Sequence, residues 1–176
     1  MIIDALNQFL RGYIVNPSLS PNGDPIGGTA GFLKILQKLC REVKPDKVVI
    51  CWDGKGGSRK RKLVNKNYKE GRKPLRLNRD IRTLTAQEEL QNKIWQQMRL
   101  MEYLNNFPVT QLVFDEVEAD DVISFVAQMP DFKGWQKVIV SSDKDFFQLL
   151  DNETLAYRPT QHEILNKNMI VEKFGI

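Results

Sequence analysis

The chain has 176 residues, the usual size of one folded domain and long enough to enclose a hydrophobic core. Lys and Arg number 26 against 22 Asp and Glu, which gives a net charge of +4. No run of 18 or more apolar residues is present, so a membrane-spanning helix is excluded on the sequence.

The N-terminus leads straight into an apolar strand, without the basic region and apolar run of a secretory signal. Cys40 lies in a helical pattern and Cys51 inside a strand pattern, so both are predicted to pack as small apolar side chains. A reducing, cytoplasmic setting fits these features.

Predicted strands and helices alternate along the chain. The predicted strands are 1–3, 47–52, 111–114, 137–142 and 154–158. A loop rich in Gly, Pro, Ser and Asn is predicted over 16–28. Short strands separated by helices are typical of βαβ units, which predicts an α/β fold with a mostly parallel sheet and right-handed crossovers.

The helices between these strands are predicted from apolar residues at helical spacing. Thr29 is predicted to be the N-cap of the first helix, which Pro45 ends. The later helices are predicted over 83–106, over 119–128, around 146–150 and from 169 onward. In the helix 83–106 the predicted buried stripe consists of Leu90, Ile94, Met98 and Met101, with Trp95 beside it.

Seven acidic residues lie where a predicted strand has just ended or a helix is about to begin. They are Asp4, Asp53, Glu118, Asp120, Asp121, Asp143 and Asp145. In a parallel α/β sheet these positions share the carboxyl edge, where ligands bind. Carboxylates gathered there repel one another unless cations lie between them, and hard ions such as Mg²⁺ or Mn²⁺ prefer oxygen ligands. Two such ions would support hydrolysis of a phosphodiester.

Each carboxylate also has a structural interpretation. An Asp after a strand commonly begins a turn, and acidic residues stabilise the first turn of a helix. Asp143 is positioned to cap the short helix that follows Ser142. Four strand ends that deliver carboxylates to one edge favour the metal site over seven independent caps. The one histidine, His162, lies in a polar stretch and offers no competing nucleophilic site.

The positive charge is concentrated in residues 55–82. This segment holds twelve Lys or Arg and two acidic residues, so it carries +10 and the rest of the chain −6. A charge run is often only a solvated face. Because this one leaves directly from Asp53, it is predicted to overhang the acidic edge and bind a polyanion, with Tyr68 as a stacking ring. Lys69 or Arg72 is placed to contact a scissile phosphate.

Several blocks in a fixed order give the chain a family resemblance. They read IDALNQFLR, PIGGTAGFLKIL, VVICWDGKGGSRK, NYKEGRK, VEADDVISFVA and VSSDKDFFQLL, and they run nearly end to end. The chain resembles the catalytic domain of the 5′-nuclease (flap endonuclease) superfamily, and among its members the bacteriophage 5′→3′ exonuclease/RNase H type. The resemblance implies a PIN-like three-layer α/β fold with a central, mostly parallel sheet and a basic arch insertion.

The resemblance also implies roles for individual residues. Asp4, Asp53, Glu118 and Asp120 would surround a first metal, and Asp143 and Asp145 a second, with Asp120 shared and Asp121 an outer ligand. The ions would be Mg²⁺, with Mn²⁺ able to substitute. Residues 55–105 would form the arch, in which Lys69 and Arg72 contact the scissile phosphate and act in catalysis with Asp120 and Asp143. The residues expected to contact nucleic acid are Lys55, Arg59, Lys60, Arg61, Tyr68, Lys69, Arg72 and Lys73.

The expected function is therefore that of a metal-dependent, structure-selective 5′ nuclease in replication or repair. Its expected substrates are DNA with a 5′ flap or free 5′ end, or RNA–DNA hybrids. A single domain over 1–176 is expected, acting as a monomer beside replication proteins in the cytoplasm of a bacterium or phage-infected host. The family's C-terminal helix–three-turn–helix region, which supplies the last metal ligands and grips the duplex, is expected to be absent. The alternatives are a stand-alone PIN-type ribonuclease and a non-catalytic junction-binding module.

Overall fold

The computed structural model describes residues 1–59, 63, 81 and 84–175. Its strands are β1 (Ile2–Asp4), β2 (Val49–Trp52), β3 (Thr110–Val113), β4 (Lys137–Val140), β5 (Thr154–Arg158) and β6 (Glu163–Leu165). Its α-helices are α1 (Ala5–Val15), α2 (Gly27–Val43), α3 (Ala86–Leu104), α4 (Ala119–Gln128) and α5 (Lys167–Phe174), and short 3₁₀ helices span Pro130–Phe132 and Lys144–Leu149. All five predicted strands are confirmed, and β5 has both ends as predicted.

The six strands form one sheet in the order β3-β2-β1-β4-β5-β6. Every neighbouring pair is parallel except β5 and β6, which are antiparallel. The chain moves outward from β1 through β2 to β3, then returns to the other side of β1 to form β4. The carboxyl ends of β1 and β4 therefore flank a topological switch point, where open α/β sheets bind their ligands.

By spatial proximity the described chain separates into two compact units. The first contains residues 1–5, 46–59 and 110–175, including the whole sheet, and the second contains residues 6–45 and 84–109. Each unit is assembled from separate stretches of sequence. The prediction of one catalytic domain with an arch over 55–105 stays a prediction.

The core of the first unit lies where α4 packs on the sheet. Val122, Ile123 and Val126 contribute the apolar face of α4, and Ile2 and Cys51 contribute the strands below it. Burial, together with the nearby Asp4 carboxylate, raises the pKa of the Cys51 thiol to about 12. The predicted apolar role of Cys51 is confirmed, since its side chain is fully buried in this apolar core.

Two glycines allow α1 and α2 to cross in the second unit. A Cβ on Gly31 would lie 2.7 Å from the Cα of Gly12, and one on Gly12 would lie 2.9 Å from the carbonyl oxygen of Gly27. These separations are shorter than any side chain tolerates, so the helix backbones touch. Helix α1 was not predicted from the sequence, because Gly12 in its C-terminal half interrupts the apolar pattern that identifies helices. The short strand β6 was missed as well.

Gln96 of α3 caps the N-terminus of α2. Its Oε1 accepts hydrogen bonds from the N–H groups of Gly28 at 2.8 Å and Thr29 at 3.2 Å, and its Nε2 donates to Asn92 at 2.7 Å. The predicted N-cap, Thr29, is wrong: the helix begins at Gly27, and the Thr29 hydroxyl donates to the carbonyl oxygen of Gln96 at 3.0 Å. A side chain from another helix thus satisfies the N–H groups that a local cap would have satisfied.

The buried face of α3 differs from the predicted one. Leu90, Ile94 and Met98 are largely exposed, and Met101 is only half-buried. The buried side chains of this helix are Gln96, Leu100 and Leu104. The predicted stripe is therefore wrong, because the face that carries the capping amide of Gln96 is buried in place of the more apolar one. At its N-terminus the helix has a full capping box, in which Thr85 and Glu88 exchange hydrogen bonds.

Replacing Gln96 by Leu is expected to destabilise the protein by about 2–4 kcal/mol, because two buried N–H groups of α2 and the amide of Asn92 lose their partner. Urea unfolding followed by circular dichroism measures the loss. Gln91→Leu, at an exposed position of the same helix, is the control and should change stability by less than about 0.5 kcal/mol. Equal stability of the two variants would contradict the capping role.

Within the part of the chain that the structure describes, no helix combines the length and apolarity needed to cross a bilayer.

Candidate active site

Asp4 lies at the switch point of the sheet and is held there by Ser141. It is the last residue of β1 and is only 7% exposed. The Ser141 hydroxyl, in the first residue after β4, donates to Asp4 Oδ2 at 2.9 Å. The same hydroxyl accepts the backbone N–H of Asp143 at 3.1 Å. One buried hydroxyl therefore links the carboxyl ends of β1 and β4.

Ser141→Ala is expected to destabilise the protein by about 1–3 kcal/mol, since Asp4 loses a buried donor and the Asp143 N–H a buried acceptor. Thermal or urea unfolding tests this. Ser124→Ala is the matched control, because the Ser124 hydroxyl only returns to the Asp120 carbonyl of its own helix, 2.8 Å away, and alanine is a better helix former. A loss no larger than that of the control would show that Ser141 does not support this edge.

Asp53 joins the end of β2 to the start of α4. It directly follows β2, and its Oδ1 accepts the N–H of Ala119, the first residue of α4, at 2.8 Å. The N–H of Gly54 donates to the carbonyl oxygen of Val117 at 3.0 Å. The loop after β2 and the loop before α4 therefore run side by side, and they bring Asp53 next to Glu118.

Gly54 is required where these two loops meet. A Cβ at this position would lie 1.7 Å from the carbonyl oxygen of Phe114. Because the clash is with backbone, no side-chain rotation relieves it. The Asp-Gly pair that follows β2 thus places a carboxylate at the edge and lets the neighbouring loop approach it.

Glu118, Asp120 and Asp121 differ in burial although they are close in sequence. Glu118 is the N-cap residue of α4 and is 2% exposed, Asp120 is half-buried, and Asp121 is exposed. All three lie at the positive end of the helix dipole, which stabilises their charge. Burying a charged carboxylate is unfavourable unless other groups compensate it, so the burial of Glu118 and Asp4 depends on their partners in the structure.

Asp143 and Asp145 follow β4. Asp143 is the N-cap of the 3₁₀ helix Lys144–Leu149, and its Oδ1 accepts the N–H of Asp145 at 3.0 Å. The predicted capping role of Asp143 is confirmed. Asp145 lies in the first turn of this helix and is exposed.

The predicted carboxylates thus form two linked pairs at one edge. Asp4 is linked to Asp143 through Ser141, and Asp53 to Glu118 through Ala119. In residues 1–59, 63, 81 and 84–175, no three acidic, Cys or His side chains converge closely enough to hold a metal ion. The donors are nevertheless all carboxylate oxygens, so their chemistry fits a hard divalent cation.

Of the predicted nucleic-acid contacts, only Lys55 and Arg59 belong to the described residues. Both are exposed, and an Arg59 nitrogen lies 3.5 Å from a Glu116 carboxylate oxygen. An exposed pair at this distance contributes little to stability, so Arg59 stays available to an anion. The predicted contacts that lie outside the described residues are Lys60, Arg61, Tyr68, Lys69, Arg72 and Lys73.

Ser141 was not singled out from the sequence. The predicted strand 137–142 included it, whereas β4 ends at Val140. Two serines directly after an apolar strand and before an Asp were the available signal, since polar side chains there lie at the ligand-binding edge.

Comparison with known proteins gives consistent results. The family model described as "5′-3′ exonuclease, N-terminal resolvase-like domain" matches residues 1–175. A 5′-3′ exonuclease of Aquifex aeolicus is 28% identical over 99% of this chain and 56% of its own length. Flap endonuclease Xni of Vibrio vulnificus is 30% identical over the whole chain and 62% of its own length. A bacteriophage T5 D15 flap endonuclease structure, a pseudo-enzyme–product complex with DNA and metal ions, has a TM-score of 0.72 at 17% identity over all of this chain and 60% of that one.

The chain therefore belongs to the family of 5′-3′ exonuclease N-terminal resolvase-like domains. The structural likeness to the T5 protein confirms the predicted α/β fold with its mostly parallel sheet. The chain spans little more than half the length of these relatives.

Proposed function

We propose that this chain is a metal-dependent 5′ nuclease domain, which hydrolyses phosphodiesters near the 5′ end of flap DNA or of RNA in RNA–DNA hybrids. The observation that carries the proposal is the buried Asp4 at the switch point, linked by Ser141 to Asp143. Family membership supports it, as do relatives named 5′-3′ exonuclease and flap endonuclease.

The carboxylates are assigned to two divalent ions, Mg²⁺ or Mn²⁺. Asp4, Asp53, Glu118 and Asp120 would hold the first ion and Asp143 and Asp145 the second, with Asp120 shared and Asp121 an outer ligand. When bound, such ions lower the pKa of water and stabilise the leaving oxygen. A structure of the T5 5′-exonuclease with divalent zinc ions bound supports a divalent cofactor.

The protein's own contribution is to orient these carboxylates. In both Asp53 and Asp143, one oxygen accepts a backbone N–H, which fixes the side chain and leaves its second oxygen for a cation. Because like charges repel, the carboxylates of this edge would lie closer together with cations bound between them than without cations. Asp4 and Glu118 act from buried positions, where a charge interacts more strongly than in water.

The substrate contacts are assigned to the basic residues of 55–82. Lys55 and Arg59 leave the edge directly after Asp53, and Lys69 and Arg72 are proposed to contact the scissile phosphate. Contacts of this kind recognise the backbone, so binding would depend on salt and not on base sequence. Selection would come from the shape of a junction with a free 5′ end.

A cleavage assay tests the proposal. The chain is incubated with 5′-labelled flap DNA, an RNA–DNA hybrid and single-stranded RNA, each with Mg²⁺, Mn²⁺ or chelator. Metal-dependent release of short 5′ products from the flap or the hybrid is expected. Cleavage confined to single-stranded RNA would favour a PIN-type ribonuclease, and tight binding without cleavage in either metal would favour a junction-binding module.

A further inference from the structure

Three cations of the first unit surround one aromatic ring. The ring centre of Phe174 lies 4.9 Å from Lys144 Nζ, 5.9 Å from Lys173 Nζ and 6.0 Å from Arg158 Cζ. We call Lys144, Arg158 and Lys173 the Phe174 cation cluster. Its members are far apart in sequence and come from three elements, so the fold brings them together.

The cluster lies beside the acidic edge. Lys144 opens the 3₁₀ helix between Asp143 and Asp145, and Arg158 is the last residue of β5, the neighbour of β4. The carboxyl ends of β2, β1 and β4 thus carry acidic residues, whereas that of β5 carries a guanidinium. Along one edge of one sheet the charge changes sign.

The cluster has a surplus of positive charge. Among the ion pairs of the described residues, Glu163 is the one carboxylate bonded to it, accepting from Arg158 Nη1 at 2.8 Å and from Lys173 Nζ at 2.7 Å. These contacts lower the pKa of Glu163, with the Lys173 hydrogen bond as the largest cause, so this carboxylate stays ionised. The three cations and this one bonded carboxylate together carry +2, while Asp143 and Asp145, on either side of Lys144 in sequence, belong to the acidic edge that the proposed divalent ions would neutralise.

Stabilising the fold does not require this arrangement. Glu163 pairs with Arg158 and Lys173, and either cation over the half-buried ring would give the cation–π attraction. Lys144 adds a third positive charge that no ion pair among the described residues balances. Lys144 is exposed and the Lys173 side chain is 49% exposed, so both ammonium groups are accessible to a ligand. Arg158, whose side chain is 12% exposed, lies beneath them, and its buried Nε has no hydrogen-bond partner among the described residues.

We infer that Lys144 and Lys173, positioned by Phe174 and Arg158, bind a backbone phosphate of the substrate strand a few nucleotides from the bond that is cleaved. The inference rests on the proposed function, because it assigns that substrate a second point of contact on the same edge. Strands lie about 4.8 Å apart, so β5 is about 10 Å from β1. The cleaved bond is assigned to the position of Asp4, at the end of β1. With an axial rise of about 3.4 Å per nucleotide, about 10 Å corresponds to about three nucleotides between that bond and the phosphate.

Binding measurements test this inference without requiring catalysis. The affinity of the chain for fluorescent 5′-flap DNA is measured in chelator over a range of KCl concentrations, for the unmodified chain and for Lys144→Gln/Lys173→Gln. The double variant should bind about tenfold more weakly at 0.1 M salt, and its slope of log affinity against log salt should fall in magnitude by about 1–2. Lys34→Gln/Lys133→Gln, which removes the same charge from two exposed positions elsewhere, should keep the original slope.

A phosphate scan locates the contact. In a series of flap DNAs each carrying one uncharged methylphosphonate, the unmodified chain should lose affinity at a position about three nucleotides from the cleaved bond, and the double variant should show no such loss. An unchanged salt slope in the double variant would overturn the inference, and so would a slope lowered equally in the control pair or failure of the chain to bind DNA. If the unmodified chain cleaves DNA and the double variant keeps the original salt slope, only this inference is refuted. If the double variant has a lower slope but the unmodified chain does not cleave, only the proposed catalysis is refuted.

Discussion

Asp143→Asn is expected to lose at least about 100-fold of its Mg²⁺-dependent turnover, or about 2.7 kcal/mol of transition-state stabilisation, while it binds flap DNA normally. The asparagine oxygen still accepts the N–H of Asp145, so the 3₁₀ helix keeps its cap. What disappears is one negative charge and one strong ligand for a hard cation. The substitution therefore separates the two interpretations that the sequence left open for this residue.

Asp151→Asn is the matched control. Asp151 also caps a turn, since its Oδ1 accepts the N–H groups of Glu153 and Thr154 at 2.8 and 2.7 Å, but it precedes β5 at the amino end of that strand. Turnover rates and thermal unfolding midpoints are measured for both variants in parallel. If Asp143→Asn turns over as fast as Asp151→Asn, Asp143 is only a cap and its assignment as a metal ligand is wrong.

The sequence predicted well those features that depend on short, contiguous patterns. Val48–Trp52 and Val138–Val140 are buried apolar runs bounded by polar residues, so strands β2 and β4 could be located, and with them the edge where Asp53 and Asp143 lie. The choice between cap and ligand could not be made from the pattern. The structure shows why the two are compatible at Asp53 and Asp143: a carboxylate has two oxygens, and the backbone uses only one.

Features that depend on contacts between distant residues could not be predicted. Gln96 caps α2 from 68 residues away, and this contact buries a polar side chain that periodicity assigns to the surface. Ser141 acquires its role only when β4 pairs with β1, 137 positions back along the chain. Lys144 and Phe174 show no relation in the sequence until α5 places them 4.9 Å apart.

Gly54→Ala is expected to destabilise the protein by about 3 kcal/mol or more and to abolish turnover. The new methyl group would lie 1.7 Å from the Phe114 carbonyl oxygen, so one of the two loops must move. That movement breaks the hydrogen bond from the Gly54 N–H to Val117 and pulls Asp53 away from the N–H of Ala119. Urea unfolding and the cleavage assay measure the two effects separately.

Gly56→Ala, two residues further along the same loop, provides the contrast. Gly56 has a φ of +76° with nothing within 4 Å of a new Cβ, so alanine there brings only left-handed backbone strain of about 1–2 kcal/mol. Because Gly56 does not contact Phe114, the substitution should leave Asp53 in place and turnover nearly intact. If Gly54→Ala unfolded at the same urea concentration as Gly56→Ala, the close approach of the two loops would be refuted. If it stayed folded at the assay temperature but lost turnover, the position of Asp53, and not global stability, would be what this glycine protects.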